Sequence, residues 1–249
     1  MSDKRVYDKT NPDDVRHLIS LELNLIKKRE EELNQAKDIN VKIRKLNSLE
    51  FAYMYVGRLY VCLKDFSSAM EYFKKHVNCI IELINLGGTI SDTQSFHVFI
   101  DSLLSRDENL RRMLADGILK GCMMDPGSPK LIYEYVIVLS KLIKGTLTMD
   151  EIQKYYKIEE KEYKYISGRA KGTAAVIDGI VNKNKNRVIE GALSLLQHYN
   201  RSWKRSGDFP FCYEATALLR LAVERGIEID LEKDIPQRLR FLVPKEMVF

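Results

Sequence analysis

The segment YMYVGRLYVCLKDFSSAMEYFKKH, Tyr53 to His76, limits what this chain can fold into more than any other. It contains two apolar runs with helical spacing, parted by the polar break LKD. Two small residues, Gly57 and Ala69, stand opposite one another once the runs fold back, and the large rings of Tyr53, Tyr60 and Phe73 surround them. Small residues let two antiparallel helices approach closely, and aromatic rings fill the volume around the contact. Phe66, in the break itself, is placed to close the turn. The spacing therefore predicts an antiparallel helical hairpin.

The same residues fit the tetratricopeptide pattern W-x2-L-G-x2-Y followed by A-x3-F, through Tyr53, Val56, Gly57, Tyr60, Ala69 and Phe73. Ile81 stands where that pattern has its terminal proline. A second copy is partial. AAVIDGIVNKNKNRVIEGALSLLQHY carries Ala192-x3-Leu196, but Gly179 is one residue out of register and no aromatic matches Tyr60. The expected fold is therefore all-α: antiparallel helical hairpins in a TPR-like, irregular, right-handed stack.

The remaining punctuation agrees. The chain holds 6 prolines and 13 glycines, most of them where helical runs stop, and no long stretch alternates with the period of a half-buried strand. Thr10 or Asn11 can cap a first helix that begins at Pro12 and carries two early aspartates. LGG at 86–88 ends the second helix of the hairpin, TISDTQS restarts, and a break falls near Asp107. DPGSP at 125–129 is a turn, and LIYEYVIVLSKLIKG is an apolar helix suited to the core. GTLTMDE at 145–151 reads as a stop followed by a start. Tyr163, Ile166, Ala170, Ala174, Ile177 and Val181 then line one face of a single helix, and NKNKNR is a basic loop. After the helix VIEGALSLLQHYN, RSWKRSGDFPF reads as a loop. YEATALLRLAVERGIEID is a helix ending at Gly226, with an apolar tail that docks on the core. One all-helical domain over 1–249 is the simplest organisation; a division into 1–150 and 151–249 is the alternative.

Charge and cysteine usage narrow the function classes. Forty Lys and Arg against 35 Asp and Glu give a net charge of +5, interspersed as in IKKREEELNQAKD. That is the pattern of a solvated helical surface rather than a nucleic-acid footprint. The cysteines, Cys62, Cys79, Cys122 and Cys212, form no CxxC pair or zinc spacing and read as buried free thiols in a reducing compartment. The charged N-terminus has no secretory core, and YEYVIVLSKLI is interrupted by Glu134 and Lys141 and too short to span a bilayer. A cytoplasmic protein is expected.

No phosphate-binding, dinucleotide, zinc-protease, nucleophile-elbow or calcium-loop motif occurs in the sequence. His17, His76, His97 and His198 are far apart and read as surface or helix-end residues; no carboxylate pair sits in an apolar run that would raise its pKa. The expectation is no catalytic residue, no metal, no cofactor and no small-molecule substrate. The most unusual stretch is HYNRSWKRSGDFPF. Arg201, Trp203, Lys204, Arg205 and Phe209 there combine the residue types that dominate protein interfaces. Trp203 has two equal readings, partner anchor or packing of its helix end onto the core.

The C-terminal third, RVIEGALSLLQHYN through YEATALLRLAVERGIEID to IPQRLRFLVP, resembles the immunity protein 49 family of bacterial polymorphic-toxin systems, with PoNi-type immunity proteins as a second likeness. The residues that carry it are Leu221, Ala222, Glu224, Arg225, Gly226, Ile227, Pro236 and Leu239. The resemblance covers roughly the last 80 residues and implies an all-helical protein that binds and blocks a cognate toxin, with no catalytic residues to carry over. A homodimer stays open, and the net positive charge argues against simple nucleic-acid mimicry. The alternative is a TPR-like adaptor or regulator that binds a peptide or partner protein in a helical groove.

Overall fold

The computed structural model describes residues 7–121, 129–163, 171–206 and 209–249, with the backbone alone for 204–206. Among the described residues there are thirteen helices and no strand. The DPGSP turn, Cys122, Ile166 and Ala170 lie outside the described residues, apart from Pro129, which caps the helix that follows.

Helix α1 (Pro12–Gln35) is one uninterrupted helix. Asn11 caps it, its side chain accepting from the Asp13 amide at 3.0 Å. Helix α2 (Ile39–Cys62) returns antiparallel, with Asp38 as its cap, and α3 (Phe66–Asn85) completes the hairpin seen in the sequence. A Cβ built on Gly57 would stand 2.7 Å from the Phe73 ring, and Ala69 and Phe73 are fully buried. Gly57 thus leaves the room that the Phe73 ring fills, as the spacing of the two residues predicts. Gly87, at φ 76°, supplies the left-handed exit that an L side chain would resist.

Helices α4 (Asp92–Leu104) and α5 (Glu108–Leu119) follow, parted at Asp107, which caps α5. Ser91 and Gln94 form a reciprocal capping box on α4. Helix α6 (Lys130–Lys144) buries both flanks of its apolar run, and α7 (Met149–Glu162) starts from a Thr148–Glu151 box.

Three boundaries differ from the sequence reading. Tyr163 is the C-cap of α7, whereas Ala174 lies on α8 (Thr173–Val181), which begins only after Gly172, whose φ of 145° no helix can hold. Moreover, RSWKRS is helical: α9 (Lys185–Ser206) runs through it, since apolar spacing continues past Tyr199 to the buried Trp203. Lys185 to Arg187 likewise form the first turn of α9 rather than loop.

The α8–α9 pair packs as closely as the α2–α3 pair. Cβ atoms built on Gly179 and Gly191 would meet the Val188 and Val176 backbone nitrogens at 2.7 and 2.8 Å. Helix α10 (Tyr213–Glu224) packs on α4 and ends at Gly226, φ 80°. Three short helices close the chain: α11 (Leu231–Asp234), α12 (Gln237–Arg240) and α13 (Lys245–Val248). Met247 and Val248 are buried, so the apolar tail docks as expected. The halves are tied by Arg111 to Glu224, 2.5 Å, and by Arg225 to the Leu142 and Ile143 carbonyls.

Candidate functional site

The segment singled out in the sequence divides on folding. Trp203 and Phe209 are buried and Arg201 is exposed. Lys204 and Arg205 lie on α9, with side chains outside the description. Trp203 tilts against Phe241 at 6.4 Å, and the Phe209 ring meets Tyr55 edge-on at 5.6 Å. Both rings occupy the core, the packing alternative for Trp203. Of the two, Phe209 reaches towards a surface, as a floor beneath the Tyr55 ring.

That floor belongs to a surface that the sequence did not signal. Along one edge of the α1–α2 pair, Arg29 donates to the Ser48 carbonyl at 2.9 Å and Lys45 pairs with Glu32 at 2.5 Å. The same edge continues one and two turns back along α1 to Leu25 and Leu21, and forward along α2 to Phe51 and Tyr55. Phe51 and Tyr55 stack at 6.2 Å with an interplanar angle of 7°. Phe51 is 57% exposed and Leu21 and Leu25 are 44% exposed each. Lys9 lies over the Tyr55 and Phe209 rings, 5.6 and 4.4 Å from their centroids. Glu22 borders the strip half-buried, and burial raises its pKa against the pull of Arg29. The spacing of Leu21 and Leu25 is visible in the sequence. Their exposure is not, because α1 is apolar on more than one flank.

Two polar clusters lie beneath the surface, and both correct the sequence reading. His76, expected at the surface or a helix end, lies inside α3 and is fully buried. Its Nδ1 lies 2.7 Å from Asp101 Oδ2 and its Nε2 3.1 Å from Glu50 Oε2. Burial alone would lower its pKa, but the two carboxylates outweigh that and raise it, which favours the imidazolium form that can donate to both. Arg58 adds the second cation, 3.7 Å from Asp101, with 2.9 Å to His97 Nδ1 and its guanidinium 4.1 Å above Tyr213. Two buried cations thus match two buried anions across α2, α3 and α4, reaching α10 through Tyr213.

The second cluster surrounds Glu159 of α7, a buried carboxylate with a raised pKa where none was expected. Its two oxygens accept from the Gly172 and Ala174 amides at 3.1 and 3.2 Å, capping α8 from another helix. Burial pushes its pKa up to about 7, with Glu214 adding to the rise and the amides opposing it. Glu214 accepts from Thr173 Oγ1 at 2.9 Å. Leu131, Ile132, Tyr135, Tyr155 and Thr173 complete a cavity of about 10 Å³ beside the two carboxylates. That volume is at the lower limit for one water molecule.

No group of three or more potential metal ligands occurs among the described residues, and no helix there is long and apolar enough to cross a membrane. A scan against protein-family models and searches of the curated proteins and the solved structures gave no match.

Proposed function

We propose that this chain is an immunity protein, which neutralises a cognate toxin by stoichiometric binding, without turnover. The observation that carries a binding role is the exposed Leu21–Leu25–Phe51–Tyr55 surface on a rigid helical pair. A contiguous exposed apolar patch marks an interaction site, and tyrosine is among the residues that anchor interface hot spots. The toxin as partner rests on the C-terminal likeness. Its residues play packing roles consistent with that plan: Leu221 and Ala222 are fully buried, Gly226 turns the chain, Pro236 caps α12 and Leu239 is buried. The close Gly57–Phe73 hairpin keeps a second reading in view, a helical adaptor for a peptide or partner protein.

The test is co-expression with a tagged toxin domain from the neighbouring reading frame. Co-purification at one-to-one stoichiometry with rescue of growth supports the immunity reading. A toxin that stays free and lethal refutes it for that neighbour and leaves the adaptor reading.

A further inference from the structure

Two helical pairs meet at Glu159. On one side, α6 and α7 are fastened to each other: the Leu131 amide donates to Glu162 at 3.0 Å, Lys154 pairs with Glu134 at 2.6 Å, and Lys141 pairs with Glu151. On the other side, the start of α8 is pressed onto α9, where a Cβ built on Gly172 would stand 2.5 Å from the Gly191 carbonyl oxygen. Two ties cross the seam near the surface: Lys171 pairs with Glu160 at 2.7 Å, and Arg187 donates to the Tyr156 hydroxyl at 2.6 Å. Inside the seam the tie is Glu159, in the last turn of α7, which accepts from the Gly172 and Ala174 amides.

The inner tie lacks a counter-ion. Among the described residues, no Lys, Arg or His lines the cavity beside it. Helix α6 presents Tyr135 there, α7 presents Tyr155, and α10 presents Glu214, which accepts from the Thr173 hydroxyl. Helix α9 sets Gly191, Ser194 and Leu195 against Gly172, none of them charged. Lys171, a cation whose field reaches Glu159, is exposed and taken up by Glu160. An enclosed carboxylate without a counter-ion is costly to keep both ionised and dry. The cavity of about 10 Å³ admits one water at most. Ionisation therefore calls for more water than the closed seam holds.

We propose that Glu159 is a proton-operated latch: neutral, it holds the last turn of α7 against the start of α8, and ionised, it lets that turn part from α8 and take up water. The break falls at two helix ends, where opening gives up few backbone hydrogen bonds and costs less than global unfolding. Glu162 keeps α7 on α6, and Gly172 stays on α9. The two amides favour the anion, but burial outweighs them and raises the Glu159 pKa to about 7. The closed seam thus binds the proton more tightly than the open one. Closure is favoured at low pH and weakens as pH rises through 7.

The test is amide hydrogen exchange of the full chain, read residue by residue at half-unit steps from pH 6 to 8 and corrected for intrinsic rates. With the carboxyl at about 7 when closed and 4.5 when open, the Gly172 and Ala174 amides should lose about tenfold in protection over that range, levelling off near its top. Both should be less protected than the buried Leu218 of α10, because they exchange by local opening. Glu159→Gln should abolish the pH dependence of the two amides. Glu214→Gln removes the neighbouring negative charge and should move the levelling-off to lower pH; it carries the test alone if Glu159→Gln does not fold. Flat protection in the unsubstituted chain, the same fall in Glu159→Gln, a bend that Glu214→Gln leaves in place, or protection equal to that of Leu218 overturns the latch.

Discussion

Glu159 makes stability depend on pH with a predictable sign. Its carboxyl is raised from an ordinary glutamate value of 4.5 to about 7, chiefly by burial. Between those values the folded chain holds a proton that the unfolded chain has released. The stability this contributes is complete below pH 4.5 and is lost as pH rises through 7. Two and a half pKa units correspond to about 3 kcal/mol. Glu159→Gln removes the titration. It also presents one acceptor and one NH2 group to the two amides of Gly172 and Ala174, leaving a donor unmatched at a cost of about 1–3 kcal/mol at every pH. The variant should therefore be the weaker protein at pH 4. The difference should shrink by about 3 kcal/mol, to parity or inversion, by pH 8. Urea unfolding of both proteins at half-unit steps reads this directly. His76, whose pKa is also raised, contributes equally to both proteins and cancels in the difference. Parallel stability profiles for the two would refute the reasoning, because they would mean that Glu159 titrates alike in the folded and unfolded chains.

Gly57→Ala should destabilise by about 1–2 kcal/mol, since overpacking against the Phe73 ring outweighs the gain in helix propensity. The loss should be smaller in a Phe73→Leu background, which chemical denaturation of the four-protein cycle tests. His76→Ala removes the cation between Glu50 and Asp101, leaving Arg58 to face two buried carboxylates, and should cost about 3–5 kcal/mol by the same assay. Trp203→Ala should lower stability by about 3–5 kcal/mol, whereas Phe51→Asp leaves melting nearly unchanged and acts on partner binding. Burial pushes the Cys62 and Cys212 thiols up to about 12, so in the native protein at pH 8 both should resist alkylation that proceeds readily after unfolding.

The helices were legible because their signals are local. Asn11, Ser91, Asp107 and Thr148 cap, Gly87 and Gly226 release, and a 3.6-residue period writes itself between them. The hairpin was legible for a different reason: a glycine facing a phenylalanine specifies a distance. The end of α9 was misread because Arg201, Lys204 and Arg205 imitate loop composition, while Trp203 continues the apolar face past them. His76 was misread because its partners lie 25 and 26 residues away, on α4 and α2. A buried histidine between carboxylates has no one-dimensional signature, only the coincidence of three helices.

The same distinction locates where function can be sought. The Arg58–His76 cluster and the Glu159 cap are polar groups enclosed by the core and largely answered by one another. Their effects are therefore felt through the stability and mutual placement of α2, α3, α4, α8 and α10. The α1–α2 edge is the reverse case. Phe51 and Leu25 are exposed, and Phe51 stacks on Tyr55, whose ring Phe209 meets edge-on. Side chains already packed on neighbouring rings present a partner with preformed positions and leave less ordering to do on binding. On this reasoning Tyr55 is the residue to vary last. Tyr55→Ala should both loosen Phe209 and strip the surface, so it should lower melting and partner affinity together. Phe51→Asp should lower affinity alone. If Tyr55→Ala spared stability, the aromatic floor would not be what holds the strip in place.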